Sequence, residues 1–189
     1  MKTNFRSIVA ALLVLAPLSG QTQVRVPSDF QITKITKNLI STPQLTFGGE
    51  QHPPTGTDRW LEVEVEFAAA PEFTDELTIK YFILFNGKLL SGEVTHVNIP
   101  RGRERRSVMY VTPRTLVRFG ANRPIASNSV QNVAVQILQK GVVKDELSLA
   151  RAQPQWYATM PQIAGVVLNK NETPFAPLYW DRYEQIKSR

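Results

Sequence analysis

Cysteine is absent from the 189 residues. That excludes a disulfide framework, a thiol nucleophile, a zinc–cysteine site and any cysteine-linked lipid anchor. Histidine occurs twice, as His52 and His96, and positions so far apart fit no metal-ligand spacing. Each reads as a surface or strand residue. Beyond the amino terminus there is no apolar run of the roughly 20 residues that a membrane-spanning helix needs. The chain is nevertheless 42% hydrophobic and 20% charged, the balance of a folded globular protein. Its length suits one domain with extensions, or two very small ones. Lysine and arginine outnumber the acids 22 to 16, a formal charge of +6.

Lys2 and Arg6 precede an apolar stretch over residues 8–18, followed by Ser19 and Gly20. A charged start, a short apolar run and small residues are the pattern of a secretory signal. Cleavage is expected after Gly20. Gln21 stands where a lipoprotein signal would carry cysteine, so no lipid anchor is expected. The domain plan is a signal over residues 1–20, a folded domain over 21–172 and a tail over 173–189. No membrane span is expected once the signal is removed.

The rest of the chain reads as strands. In residues 61–67, Leu61, Val63, Val65 and Phe67 alternate with Glu62, Glu64 and Glu66, the period of a half-buried strand. Residues 77–85 are apolar on both faces, as in a strand covered on both sides. Further strands are expected at 30–36, 44–47, 93–99, 106–112, 130–139 and 142–149. Asn86-Gly87 signals a tight hairpin because both residues tolerate positive φ, and Lys140-Gly141 separates the last two strands like a second hairpin. Residues 48–58 form a loop rich in proline and glycine. Residues 112–120 predict a short helix, with Thr112 as cap, Pro113 in the first turn and Gly120 at the end. Many short strands without substantial helices between them predict an all-β fold, an immunoglobulin-like antiparallel β-sandwich. No internal repeat is present.

Charge is segregated. Residues 58–76 hold seven acids and Arg59, a net of −6, whereas residues 101–123 hold Arg101, Arg103, Arg105, Arg106, Arg114, Arg118 and Arg123 against Glu104, a net of +6. In an immunoglobulin-like sandwich the second and fifth strands are neighbours. Here these are 59–67 and 106–112, so the two blocks could neutralise each other across one sheet. The other reading makes the arginines a surface for an anionic partner. Nucleic acid is disfavoured by the export signal and by the lack of a reader motif.

Chemistry has few candidates. Glu62, Glu64 and Glu66 look like paired carboxylates, but a strand face without an apolar wall reads as solvated. Ser91 and Ser127 lie in no nucleophile elbow, and Gly102 and Gly120 form no phosphate-cradling loop. No catalytic residue, metal ligand or cofactor is expected, and the chain reads as a non-enzyme.

The most specific signal lies at the carboxyl end, Thr173-Pro174-Phe175-Ala176-Pro177-Leu178-Tyr179-Trp180-Asp181-Arg182-Tyr183-Glu184. Aromatics at this density must be buried or bound. Two readings stay open: a clamp packed on the sandwich, with residues 77–85 as its landing site, or a docking segment in which Phe175, Tyr179 and Trp180 meet a partner. This motif, with Gly165-Val166-Val167-Leu168-Asn169-Lys170 and Trp60-Leu61-Glu62-Val63-Glu64-Val65, resembles small secreted immunoglobulin-like proteins of Verrucomicrobia. Those proteins belong to an Akkermansia-type gene cluster for a type IV pilus-like system. The resemblance implies export to the periplasm, outer membrane or cell surface, and protein partners in pilus-like or outer-membrane assembly. It implies no catalytic or ligand residues. An envelope-polymer or carbohydrate-binding module is the alternative, and an exposed row of Tyr157, Tyr179 and Trp180 would favour it. Oligomeric state stays open.

Overall fold

A computed structural model describes residues 28–52, 59–120, 125–179 and 181–188. The expected signal segment, Arg123 and Trp180 lie outside these residues. No helix among the described residues is long and apolar enough to cross a membrane.

The strands are β1 (Phe30–Ser41), β2 (Leu45–Phe47), β3 (Glu50–His52), β4 (Arg59–Phe85), β5 (Lys88–Val111), β6 (Val130–Gln139), β7 (Val142–Ser148), β8 (Gln162–Ile163) and β9 (Val167–Asn169). One short helix, α1 (Pro113–Phe119), follows β5. The main sheet runs β7-β6-β4-β5-β8, with β1 on a further stretch of β4 and β9 on a further stretch of β5. β2 and β3 form a separate hairpin through Gly48 and Gly49, both at positive φ. The start of the expected proline-rich loop is therefore a strand.

Strands expected separately at 59–67 and 77–85 are one 27-residue strand, and those at 93–99 and 106–112 are one 24-residue strand. β4 and β5 stay paired along their length, but their register shifts between Phe67 and Ala69 and again between Ala69 and Phe73. Such bulges bend a ladder without ending it. Pro71 lies inside the second shift, where a missing N–H costs no ladder bond. Gly102 lies opposite Ala69, and the Arg105 guanidinium occupies the space beside it, where a Cβ would stand 2.4 Å from that group.

The bend divides the sheet into two leaves. β1, residues 59–67, residues 105–111 and β9 make one, while residues 77–85, residues 88–97, β6, β7 and β8 make the other. Their inner faces share one core, in which Val63, Val65 and Phe67 join Ile79, Tyr81, Ile83, Val133 and Val135. The result is all-β and sandwich-like, with one sheet folded on itself. The pairing is antiparallel except for β8, which lies parallel to β5 and makes the sheet mixed. A bulge in β1 between Ile32 and Lys34 explains why Ile32 and Ile35 both face the core despite their odd spacing.

The local signals act as their chemistry requires. Asn86 and Gly87 have φ of 44° and 73°, and Lys140 and Gly141 have 51° and 79°, so both hairpins turn with two left-handed residues. The Thr112 hydroxyl accepts the Thr115 N–H at 3.1 Å, Pro113 opens α1, and the Gly120 N–H closes on Val117 O.

Candidate functional site

The glutamates of residues 61–67 face outward, as alternation requires, but the middle one is not solvated. Glu64 is only 7% exposed, because the tail lies across it. Arg182 donates from Nη2 to Oε1 at 2.9 Å and to Oε2 at 2.8 Å, and from Nε to Oε2 at 3.2 Å. Tyr183 donates its hydroxyl to the same carboxylate at 2.7 Å. Arg106 stands 3.9 Å from Glu64 and 3.4 Å from Glu66. Burial and the adjoining carboxylate push the Tyr183 hydroxyl above its ordinary range, and the bond to Glu64 raises Arg182 further. Glu62 accepts from Asn38 and Tyr110.

An apolar wall adjoins these acids. The Phe175 ring stacks on Tyr110 at 4.6 Å between centroids and meets Trp60 edge-on at 5.6 Å. Val108, Leu168, Leu178 and Tyr183 complete the cluster. The tail therefore lands on residues 60–66 and 106–110, and not on 77–85. The reason is that residues 77–85 already have a cover. Tyr157 stacks on Phe82 at 4.0 Å and 9°, with Trp156 and Met160 beside it. The Tyr157 hydroxyl donates to Glu146 and accepts from Gln136. Tyr157 is 4% exposed and Tyr179 59%, so these two do not form an exposed aromatic row.

The last described residues occupy the edge of β5 at the bend. Glu184 N–H donates to Arg106 O, Val97 N–H to Gln185 O, and Lys187 N–H to Thr95 O. With β8 at residues 89–90 and β9 at 109–111, this covers an edge that would otherwise invite another strand. Glu184 also pairs with Arg105 at 3.5 Å; its carboxyl is raised by burial, an effect that Arg105 opposes. Lys170, at the head of the tail, is 5% exposed and donates to Ala176 O at 2.7 Å; burial lowers its pKa.

His96 closes a buried chain of hydrogen bonds. Its Nδ1 lies 3.0 Å from the Glu184 carbonyl, an acceptor only, so Nδ1 carries the proton. Nε2 then accepts from the Ser107 hydroxyl at 2.7 Å, and Ser107 accepts from Tyr81 at 2.7 Å. The chain links both leaves and the tail, and burial depresses His96 to about 4. A serine bonded to a histidine resembles a nucleophile and its base. Here Ser107 is 0% and His96 1% exposed, and Tyr81 occupies the hydroxyl. No three carboxylate or histidine groups converge as a metal site among the described residues.

The arginine block does not form one face. Arg105 and Arg106 are consumed in ion pairs. Arg101, which donates to Ala70 O at 2.6 Å, and Arg103 sit at the bend. Arg114 and Arg118 are exposed on α1, which follows the far end of β5. The cross-sheet expectation holds at Arg106, which lies opposite Glu66 in register. The sequence reading missed Arg182, Tyr183 and Glu184 as partners of these charges. Their one signal was an Arg-Tyr-Glu run beside an aromatic motif.

A family model matches residues 21–189. A crystal structure of a protein from Akkermansia muciniphila is similar in fold, with a TM-score of 0.72 and 23% identity, over 87% of this chain and 96% of that one. No curated protein matches.

Proposed function

We propose that the chain, which belongs to the family whose model matches residues 21–189, is an exported, non-enzymatic accessory component of an Akkermansia-type, type IV pilus-like, outer-membrane-associated system. The observation that carries the reading is a family match that begins at Gln21, where the expected signal ends. The buried state of Ser107 and His96 supports a non-catalytic role, since the one nucleophile–base arrangement described above is closed to substrate. The mechanism is recognition by a rigid body. The tail covers the acidic face and the edge of β5, which leaves partners the bend end, the α1 end and the groove beside the tail. That groove, about 500 Å³, is lined by Lys34, Asn38, Glu62, Tyr179 and Arg182.

The test is deletion of the gene in its host, with surface filaments imaged by electron microscopy and the protein's neighbours identified by crosslinking in intact cells. Loss or shortening of filaments, restored by the intact gene, with crosslinks to pilus or outer-membrane assembly proteins, is the expected result. Unchanged filaments with crosslinks confined to unrelated proteins would overturn the reading.

A further inference from the structure

Among the arginines without carboxylate partners, those at the bend and those on α1 stand in different electrostatic settings. At the bend, Arg101 and Arg103 line one cavity together with Asp29, and Glu104 follows Arg103 in the chain. At the α1 end the chain itself carries no acid over a long stretch, since residues 105–144 contain no aspartate or glutamate. There α1 exposes Arg114, Val117 and Arg118, whose i, i+3, i+4 spacing places them on one helical face. Arg118 and Lys88 line one open cavity of about 550 Å³ with Asn86, Phe119 and Gln131, and no acid lines it. Lys34, Lys80, Arg105, Arg106, Arg182 and Lys187 each pair with a carboxylate. Among the described residues Lys88, Arg114 and Arg118 do not. Val117, between the two arginines, is 58% exposed.

We propose that this end of the molecule docks on the surface of an anionic phospholipid membrane, with Arg114, Val117, Arg118 and Lys88 as the contact. Guanidinium groups match phosphate oxygens with paired donors, and the lysine adds a point charge. Val117 separates this occupant from a soluble acidic polymer. A headgroup plane offers phosphate beside apolar surface, so the isopropyl group leaves water as the arginines find their partners. A soluble polyanion would leave Val117 hydrated. The proposal rests on the charges of this chain and not on the family reading, and either can fail alone.

The test is vesicle sedimentation with the purified protein lacking its signal segment. One set of vesicles contains phosphatidylglycerol and phosphatidylethanolamine, the other phosphatidylcholine alone. Binding is expected only to the first set and should weaken as salt screens the charges. Arg114→Gln with Arg118→Gln should weaken it about 25-fold, roughly fivefold for each cation. Val117→Ser should weaken it severalfold without changing the salt slope. Arg101→Gln with Arg103→Gln should leave it nearly unchanged. If the α1 pair impairs folding by thermal melting, Lys88→Gln at the hairpin carries the same test, with a fivefold loss. No binding to the anionic vesicles, equal loss from the α1 and bend pairs, or a Val117→Ser variant that binds as well as the parent would overturn the proposal.

Discussion

Arg182 grips the carboxylate of Glu64 with two of its nitrogens, across 118 positions of sequence. The pair lies where the tail crosses the outer face of β4, and it converts a face that reads as solvated into a covered one. Removing one partner of a shielded pair leaves the other's charge poorly compensated, at a cost of about 3–5 kcal/mol when burial is complete. The side chain of Arg182 is 43% exposed, which moves the expectation lower. Glu64→Ala should cost about 2–3 kcal/mol in urea melts, and Arg182→Ala a similar amount. The double variant should cost clearly less than their sum, since the two share one interaction.

Phe175 should matter more than any charge in the tail. It is 4% exposed and touches both Tyr110 and Trp60. Phe175→Ala should destabilise by about 3–5 kcal/mol, the usual cost of emptying an aromatic site. Tyr179→Ala, at an exposed ring, should change stability by less than about 0.5 kcal/mol. Equilibrium denaturation of the two variants side by side checks this.

His96 makes the fold sensitive to acid. Its folded value of about 4 lies below the ordinary 6.5, so the unfolded chain binds the proton first. Stability is unaffected by this group above about pH 6.5 and falls as pH drops from there to about 4. The loss at pH 4 is about 3 kcal/mol. Protonation would also turn Nε2 into a donor, leaving the Ser107 hydroxyl without its acceptor. A His96→Asn variant should be less stable at pH 7 but show a flatter profile between pH 6.5 and 4, as read by chemical denaturation at each pH.

Much of the fold was legible because its signals are local. Alternation at Leu61–Phe67, the Asn-Gly and Lys-Gly pairs, and the Thr-Pro start of α1 each state a backbone preference that tertiary packing did not override. The bend was not legible. Residues 68–76 lose strict alternation, which reads as a break, whereas the bulges at Ala69 and Phe73 let β4 continue through it. The cover over residues 77–85 was misassigned for a related reason. Alternation shows that Phe82 needs a partner, but it cannot say whether Tyr157 or Phe175 supplies it. Pairing of Arg106 with Glu66 was expected from an immunoglobulin strand order but arises because β4 and β5 form one long hairpin, while Arg182 on Glu64 depends on where the tail lands, which no local pattern encodes.

Residues 173–179 and 181–188 belong to the folded body, and partners are therefore expected to meet the molecule elsewhere. Thermal melting of a chain ending at Glu172, beside the chain ending at Arg189, tests it most directly. Losing Phe175, the bonds to Glu64 and the backbone bonds of residues 184–187 to β5 should lower Tm by at least about 10 °C, taking 2–4 °C per kcal/mol for a chain of this size. A truncated protein that melts within a degree or two of the full chain would contradict the claim.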